Sequence, residues 1–115
     1  YWGSSYREGA EWVIKNYRPD SGQAIRVANC EVPFLISYYL EKTGELRRRF
    51  VVVPLDANPD IYLAITRWQC DKLIEGKLVH TVQRLGTPLL YVIEAQGAYR
   101  PEASRKMANV YHEQK

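Results

Sequence analysis

Apolar and polar positions alternate along this chain with two different periods, one suited to strands and one to helices. Between Ala24 and Leu55 they read strand, helix, strand. Ile25-Arg26-Val27-Ala28 is β-branched at alternate positions, Pro33 to Lys42 is an apolar segment of helix length, and Phe50-Val51-Val52-Val53 is a continuous apolar run. Neighbouring strand side chains point to opposite faces, so a strand apolar at successive positions must be covered on both. Two such strands joined by a helix predict a right-handed βαβ unit whose sheet needs a second covering layer. Val32, Ile36, Tyr39 and Leu40 form the buried stripe of the helix, with Pro33 in its first turn. Gly44 is expected as a left-handed C-cap, and Arg47-Arg48-Arg49 as a solvated entrance to the next strand.

The flanking segments attach to that unit. Ser5-Tyr6-Arg7-Glu8 fits a capping box, and Tyr6, Ala10, Val13 and Tyr17 make one helical face, widened by Trp12, before Pro19 stops the helix. Arg18-Pro19-Asp20-Ser21-Gly22 reads as a turn. Ile61 to Thr66 is a third apolar strand, and nothing between Pro54 and Asp60 suits a helix. That link, extended, reaches roughly 20 Å. A parallel crossover usually takes a dozen residues or more. The third strand is therefore antiparallel to the second, or parallel with a taut crossover. Its continuous apolarity favours the parallel form, on the far side of the first strand. Trp68 to Gly76 reads as a polar loop with room for one helical turn. Leu78–Arg84 and Pro88–Ala95, separated by Leu85-Gly86-Thr87, predict an antiparallel hairpin extending one edge of the sheet. Leu89, Tyr91 and Ile93 face one side of it, Leu90 and Val92 the other.

The expected fold is α/β: a single-domain, Rossmann-like mixed sheet of about five strands, with a parallel βαβ core, a C-terminal antiparallel hairpin and helices packed on the sheet. Residues 1–97 form this domain, and residues 98–115 are a C-terminal helix, opened by Pro101, or a flexible tail.

Composition narrows the function classes. At 115 residues, 46% hydrophobic and 25% charged, the chain suits one globular domain. A net charge of +3 is far from the dense basic stripe of a nucleic-acid binder, so nucleic acid is not an expected partner. No apolar run approaches the ~20 residues of a membrane helix. Neither a signal-peptide pattern nor an initiator methionine is present, and the chain reads as a piece of a longer polypeptide. Cys30 and Cys70 each follow a predicted strand, which leaves two half-buried thiols and a disulfide both open. A metal site joining them to His80 and His112 lacks the close ligand spacing of zinc sites.

The carboxyl ends of the strands, where open α/β sheets bind ligands, would present Asn29, Cys30, Asp56, Arg67 and Trp68. Asn29-Cys30-Glu31-Val32-Pro33 has no glycine to let a phosphate approach the backbone, which disfavours dinucleotide and P-loop chemistry. Asp56 and Asp60 sit beside Asn58 and Pro59 as turn formers rather than cation ligands. His80 falls in mid-strand, and no spacing brings a histidine to Cys30 as a nucleophile pair. No catalytic residue, cofactor or metal is assigned. Most aromatics fall at core spacings. Trp2, Trp68 and Tyr99 lie off the stripes and, with Asn29 and Arg67, are the candidate surface for a ligand, glycan or partner.

Three stretches carry a family resemblance. Tyr1-Trp2-Gly3-Ser4-Ser5-Tyr6-Arg7-Glu8-Gly9-Ala10-Glu11-Trp12 resembles the segment after the last membrane helix of multi-spanning glycosyltransferases of the dolichyl- or polyprenyl-phosphate-mannose type, similar to protein mannosyltransferases. Asp60 to Arg67 is a second patch, and Val82 to Val92 resembles the closing hairpin of that family. The patches span most of residues 1–95, whereas the Trp68-Gln69-Cys70 loop and the tail after Gly97 match no pattern of the family. The resemblance implies a soluble extracytoplasmic domain, periplasmic or at the cell surface. Its partners would be the membrane portion of the parent enzyme and a glycan or acceptor protein. In such enzymes the acidic catalytic residues lie in loops of the membrane portion, so none is carried over. The expected function is a non-catalytic accessory domain of a membrane glycosyltransferase that uses a lipid-phosphate-linked sugar. Two alternatives come from other classes: a small binding module for an anionic ligand, such as a nucleotide or sugar phosphate, on Arg26, Asn29 and Arg67, and a small hydrolase using Cys30.

Overall fold

A computed structural model describes residues 2–20, 22–30, 34–66 and 70–99. Helix α1 spans Trp2–Asn16. Its predicted stripe is buried, with Tyr6, Ala10 and Val13 all at 0% exposure. The capping box does not form. The helix starts at Trp2, which puts Ser5 inside it, buried on the core face. The Glu8 carboxylate, free of that role, pairs instead with Arg84 at 2.8 Å. The carboxyl end of α1 is closed from outside: the Arg49 guanidinium donates to the carbonyls of Ile14 (2.6 Å) and Tyr17 (2.8 Å). These are carbonyls that a helix end leaves without intrahelical partners.

The strands are β1 (Ile25–Asn29), β2 (Phe50–Val52), β3 (Ile61–Ile65), β4 (Ile74–Arg84) and β5 (Thr87–Tyr99). They form one mixed sheet in the order β2-β1-β3-β5-β4. β1 pairs in parallel with β2 and with β3, while β5 is antiparallel to both β3 and β4. The fold is therefore α/β, with a five-stranded mixed sheet and helices packed on it, in one globule.

The third strand takes the parallel position on the far side of β1. The link from Val53 to Asp60 crosses only β1, about 10 Å between the flanking strands, which needs no helix. It is stitched to the strand it crosses. Val53 N–H donates to Val27 O at 2.9 Å, Asp60 N–H to Arg26 O at 2.8 Å, and Arg26 N–H to Asp60 Oδ2 at 2.9 Å. β3 is buried at all five positions, as its unbroken apolarity requires.

Helix α2 (Phe34–Leu40) contributes the fully buried Ile36 and Leu40. Gly44 does not end it. Residues 41–43 bend, Thr43 caps a second helix α3 (Gly44–Arg49) by accepting from Leu46 N–H at 3.1 Å, and Gly44 is its first residue. The arginine triplet is accordingly the last turn of α3, where positive charge opposes the negative end of the helix dipole. Glu41 accepts from Val52 N–H at 3.2 Å, which covers a donor on the outer edge of β2.

α1 packs across β3, β5 and β4, and α2 lies against α1 and β2, so both share one face. On the other face the β3–β4 connection, including a 3₁₀ turn at Cys70–Lys72, touches β3 and β4. The Tyr62 hydroxyl, buried there, donates to Cys70 O at 2.7 Å.

The hairpin runs further than its apolar residues suggested. β4 begins at Ile74, and β5 continues to Tyr99, so Ala98 and Tyr99 belong to the sheet rather than to a separate tail. The rest of that tail, residues 100–115, lies outside the described residues. Leu85 and Gly86 both have positive φ (52° and 81°), which suits the tight turns that match strand twist. Ile74-Glu75-Gly76, the end of the expected loop, is strand, because an edge strand needs no alternation of apolar residues. Gly76 is required there: a Cβ would sit 2.6 Å from Ile93 Cγ2 and closer still to the Glu94 carbonyl oxygen.

Candidate functional site

The carboxyl ends of β1 and β3 are where the topology rule places a ligand. β1 and β3 are parallel neighbours, so the segments that leave them are neighbours too. Cys30 follows β1, Cys70 opens the 3₁₀ turn after β3, and the two are joined by a disulfide with Cα atoms 5.8 Å apart. Asn29 is buried at 4% exposure, and the Cys70 carbonyl is held by Tyr62. The bridge thus cross-links the segments leaving β1 and β3; Glu31 to Pro33 and Arg67 to Gln69, which complete this edge, lie outside the described residues. Neither cysteine is a thiol, which removes the hydrolase reading, because a bonded sulfur cannot ionise and attack.

The other candidates scatter. Arg67 and Trp68 lie outside the described residues. Trp2 opens α1 and Tyr99 closes β5. Arg26 and Asn29, joined in the anionic-ligand reading, are three positions apart on one strand and so on opposite faces. His80 lies in β4, its ring stacked on Trp12 with centroids 4.6 Å apart and planes at 6°. Asp60 accepts from the backbone of β1, and Asp56 is exposed beyond it. Among the described residues no group of His, Cys, Asp and Glu is placed to hold a metal ion.

A concavity lies at the opposite edge. A cleft of about 500 Å³ opens at the amino ends of β1 and β3. The segment after α1 brings Tyr17, Arg18, Pro19 and Asp20 to it. The start of β1 brings Gln23 to Arg26, the start of β3 brings Asp60 and Ile61, and β5 brings Glu94. Pro19 forces the turn that hangs the first group over the strand ends.

Two fixed interactions shape the cleft. The Tyr17 hydroxyl donates to Glu94 Oε2 at 2.5 Å. Burial, then this hydrogen bond, then the Glu94 charge all oppose phenolate formation and raise the Tyr17 pKa above its ordinary value. The Arg26 guanidinium donates to the Ala57 carbonyl while its backbone holds Asp60. The sequence pattern alone does not reveal this edge, because the polar run after α1 reads as a turn. The available signal was the density of ionisable residues, Arg18, Asp20 and Arg26, around that turn.

Fold and cleft together define a small disulfide-bonded α/β domain, open at the amino edge of its parallel strands. Comparison with known proteins found no matching family, no matching curated protein and no matching solved structure. Among the described residues no helix is long and apolar enough to cross a membrane.

Proposed function

We propose that this chain is a non-catalytic extracytoplasmic accessory domain of an integral-membrane glycosyltransferase that uses a lipid-phosphate-linked sugar, where it helps recognise an acceptor or partner. The observation that carries the reading is the Cys30–Cys70 bond. Disulfides of this kind form and persist in oxidising compartments and are rare where thiols are kept reduced. The family resemblance supplies the rest. Its three stretches fall mainly on α1, β3 and the β4–β5 hairpin, elements that pack on one another, so the likeness follows a contiguous part of the fold.

Two measurements test this. Protein taken from its native cells with free thiols trapped at lysis should give a single Cys30–Cys70 cross-linked peptide by mass spectrometry; reduced cysteines overturn the compartment. Incubating the chain with a polyprenyl-phosphate sugar and an acceptor peptide should give no transfer, and turnover by the chain alone overturns the accessory role.

A further inference from the structure

The amino-edge cleft carries an inference that goes beyond where the domain resides. Its volume of about 500 Å³ falls within the range of small-molecule sites. The polar groups around it are of both kinds. Glu94 and Asp60 each spend one carboxylate oxygen inside the protein, on Tyr17 and on the Arg26 amide, and each retains a second oxygen as an acceptor. Arg18, Asp20 and Gln23 make no hydrogen bond or ion pair among the described residues, so a donor, an acceptor and a group that is both stand ready at the rim. Ile25, half-buried, supplies an apolar floor; Ile61, which also lines the cleft, is only 2% exposed.

This set discriminates by charge. Three carboxylates (Asp20, Asp60, Glu94) outnumber two guanidiniums (Arg18, Arg26), and the Arg26 guanidinium already serves Ala57. A phosphate would meet three carboxylates against one lining guanidinium, Arg18, that no group among the described residues engages, while the Arg49 guanidinium at the adjoining end of α1 is spent on the Ile14 and Tyr17 carbonyls. A simple ammonium would leave the Arg18 donors unanswered. A neutral polyol satisfies both kinds, because each hydroxyl donates to a carboxylate and accepts from a guanidinium or amide. The C–H surface of a sugar ring also suits the apolar floor. We infer that the cleft between the α1–β1 turn and the starts of β1 and β3 is a binding site for a neutral saccharide.

The test is amide chemical-shift mapping of the 115-residue chain by NMR. The probes are methyl α-pyranosides of mannose, glucose and galactose, with inorganic phosphate and ethylamine as charged comparisons. At least one pyranoside should give saturable millimolar shifts confined to residues 17–26, 60–61 and 94. Asp20→Ala, on an exposed turn, should weaken that binding about tenfold through loss of a charge-assisted hydrogen bond. Asp56→Ala, outside the cleft, should leave it unchanged. No saturable shift with any pyranoside, shifts that map elsewhere, a stronger response to phosphate or ethylamine, or indifference to Asp20→Ala would each overturn the assignment. Failure here leaves the reading of compartment and accessory role untouched, since that rests on the disulfide.

Discussion

Removing the disulfide is the most informative single perturbation. Cys30 and Cys70 are separated by 40 residues. In the loop-closure treatment a cross-link of that span removes about 13 cal/mol/K of entropy from the unfolded chain, or ~4 kcal/mol at room temperature. Native bridges commonly realise about 2–4 kcal/mol, so about 3–4 kcal/mol is expected here. Cys70 is fully buried, and alanine leaves no unpaired polar atom in its place. The Cys30→Ala/Cys70→Ala double variant therefore reports mainly on the cross-link. With an unfolding entropy near 2.1 cal/mol/K per residue, the loss lowers Tm by about 12–16 °C. Guanidinium titrations followed by circular dichroism, with and without reductant, measure it. Wild type in reductant should coincide with the double variant, and reductant should do nothing further to the variant. A wild-type loss below about 1 kcal/mol would refute the view that this bond closes a loop left open in the unfolded chain.

Three other outcomes follow from the packing. Gly76→Ala places a methyl against backbone and should cost at least about 2–3 kcal/mol by denaturant titration, whereas Gly9→Ala meets only the movable end of Leu90 and should cost less. Arg49→Ala leaves the Ile14 and Tyr17 carbonyls without their donor and should cost about 1–3 kcal/mol, with faster hydrogen exchange at the end of α1. Tyr17→Phe should lose about 1 kcal/mol at neutral pH. Because the folded Tyr17 pKa is raised, its contribution is fully present below the unfolded value of about 10 and is lost as the pH rises above it. The stability gap between wild type and Tyr17→Phe should therefore shrink in titrations above about pH 10.

The sequence by itself determined the fold class. Unbroken apolarity at Phe50–Val53 and Ile61–Ile65 demanded strands covered on both sides, the 3.6-residue stripe from Tyr6 to Val13 demanded a helix, and the short link before Ile61 limited the third strand to two positions. These are local signals, read from side-chain period and chain reach. The tertiary structure decided everything that depends on competition between distant partners. Glu8 abandons a capping box for Arg84, from the hairpin, and Arg49 leaves solvent to close α1. Thr43 rather than Gly44 sets a helix boundary, because its hydroxyl finds the Leu46 amide once the chain bends there. The disulfide required β1 and β3 to be parallel neighbours. The cleft at the opposite edge is assembled from four segments whose ends the sheet brings together. Periodicity reports what a residue must bury, and it carries no record of which partner, many residues away, will satisfy its polar atoms.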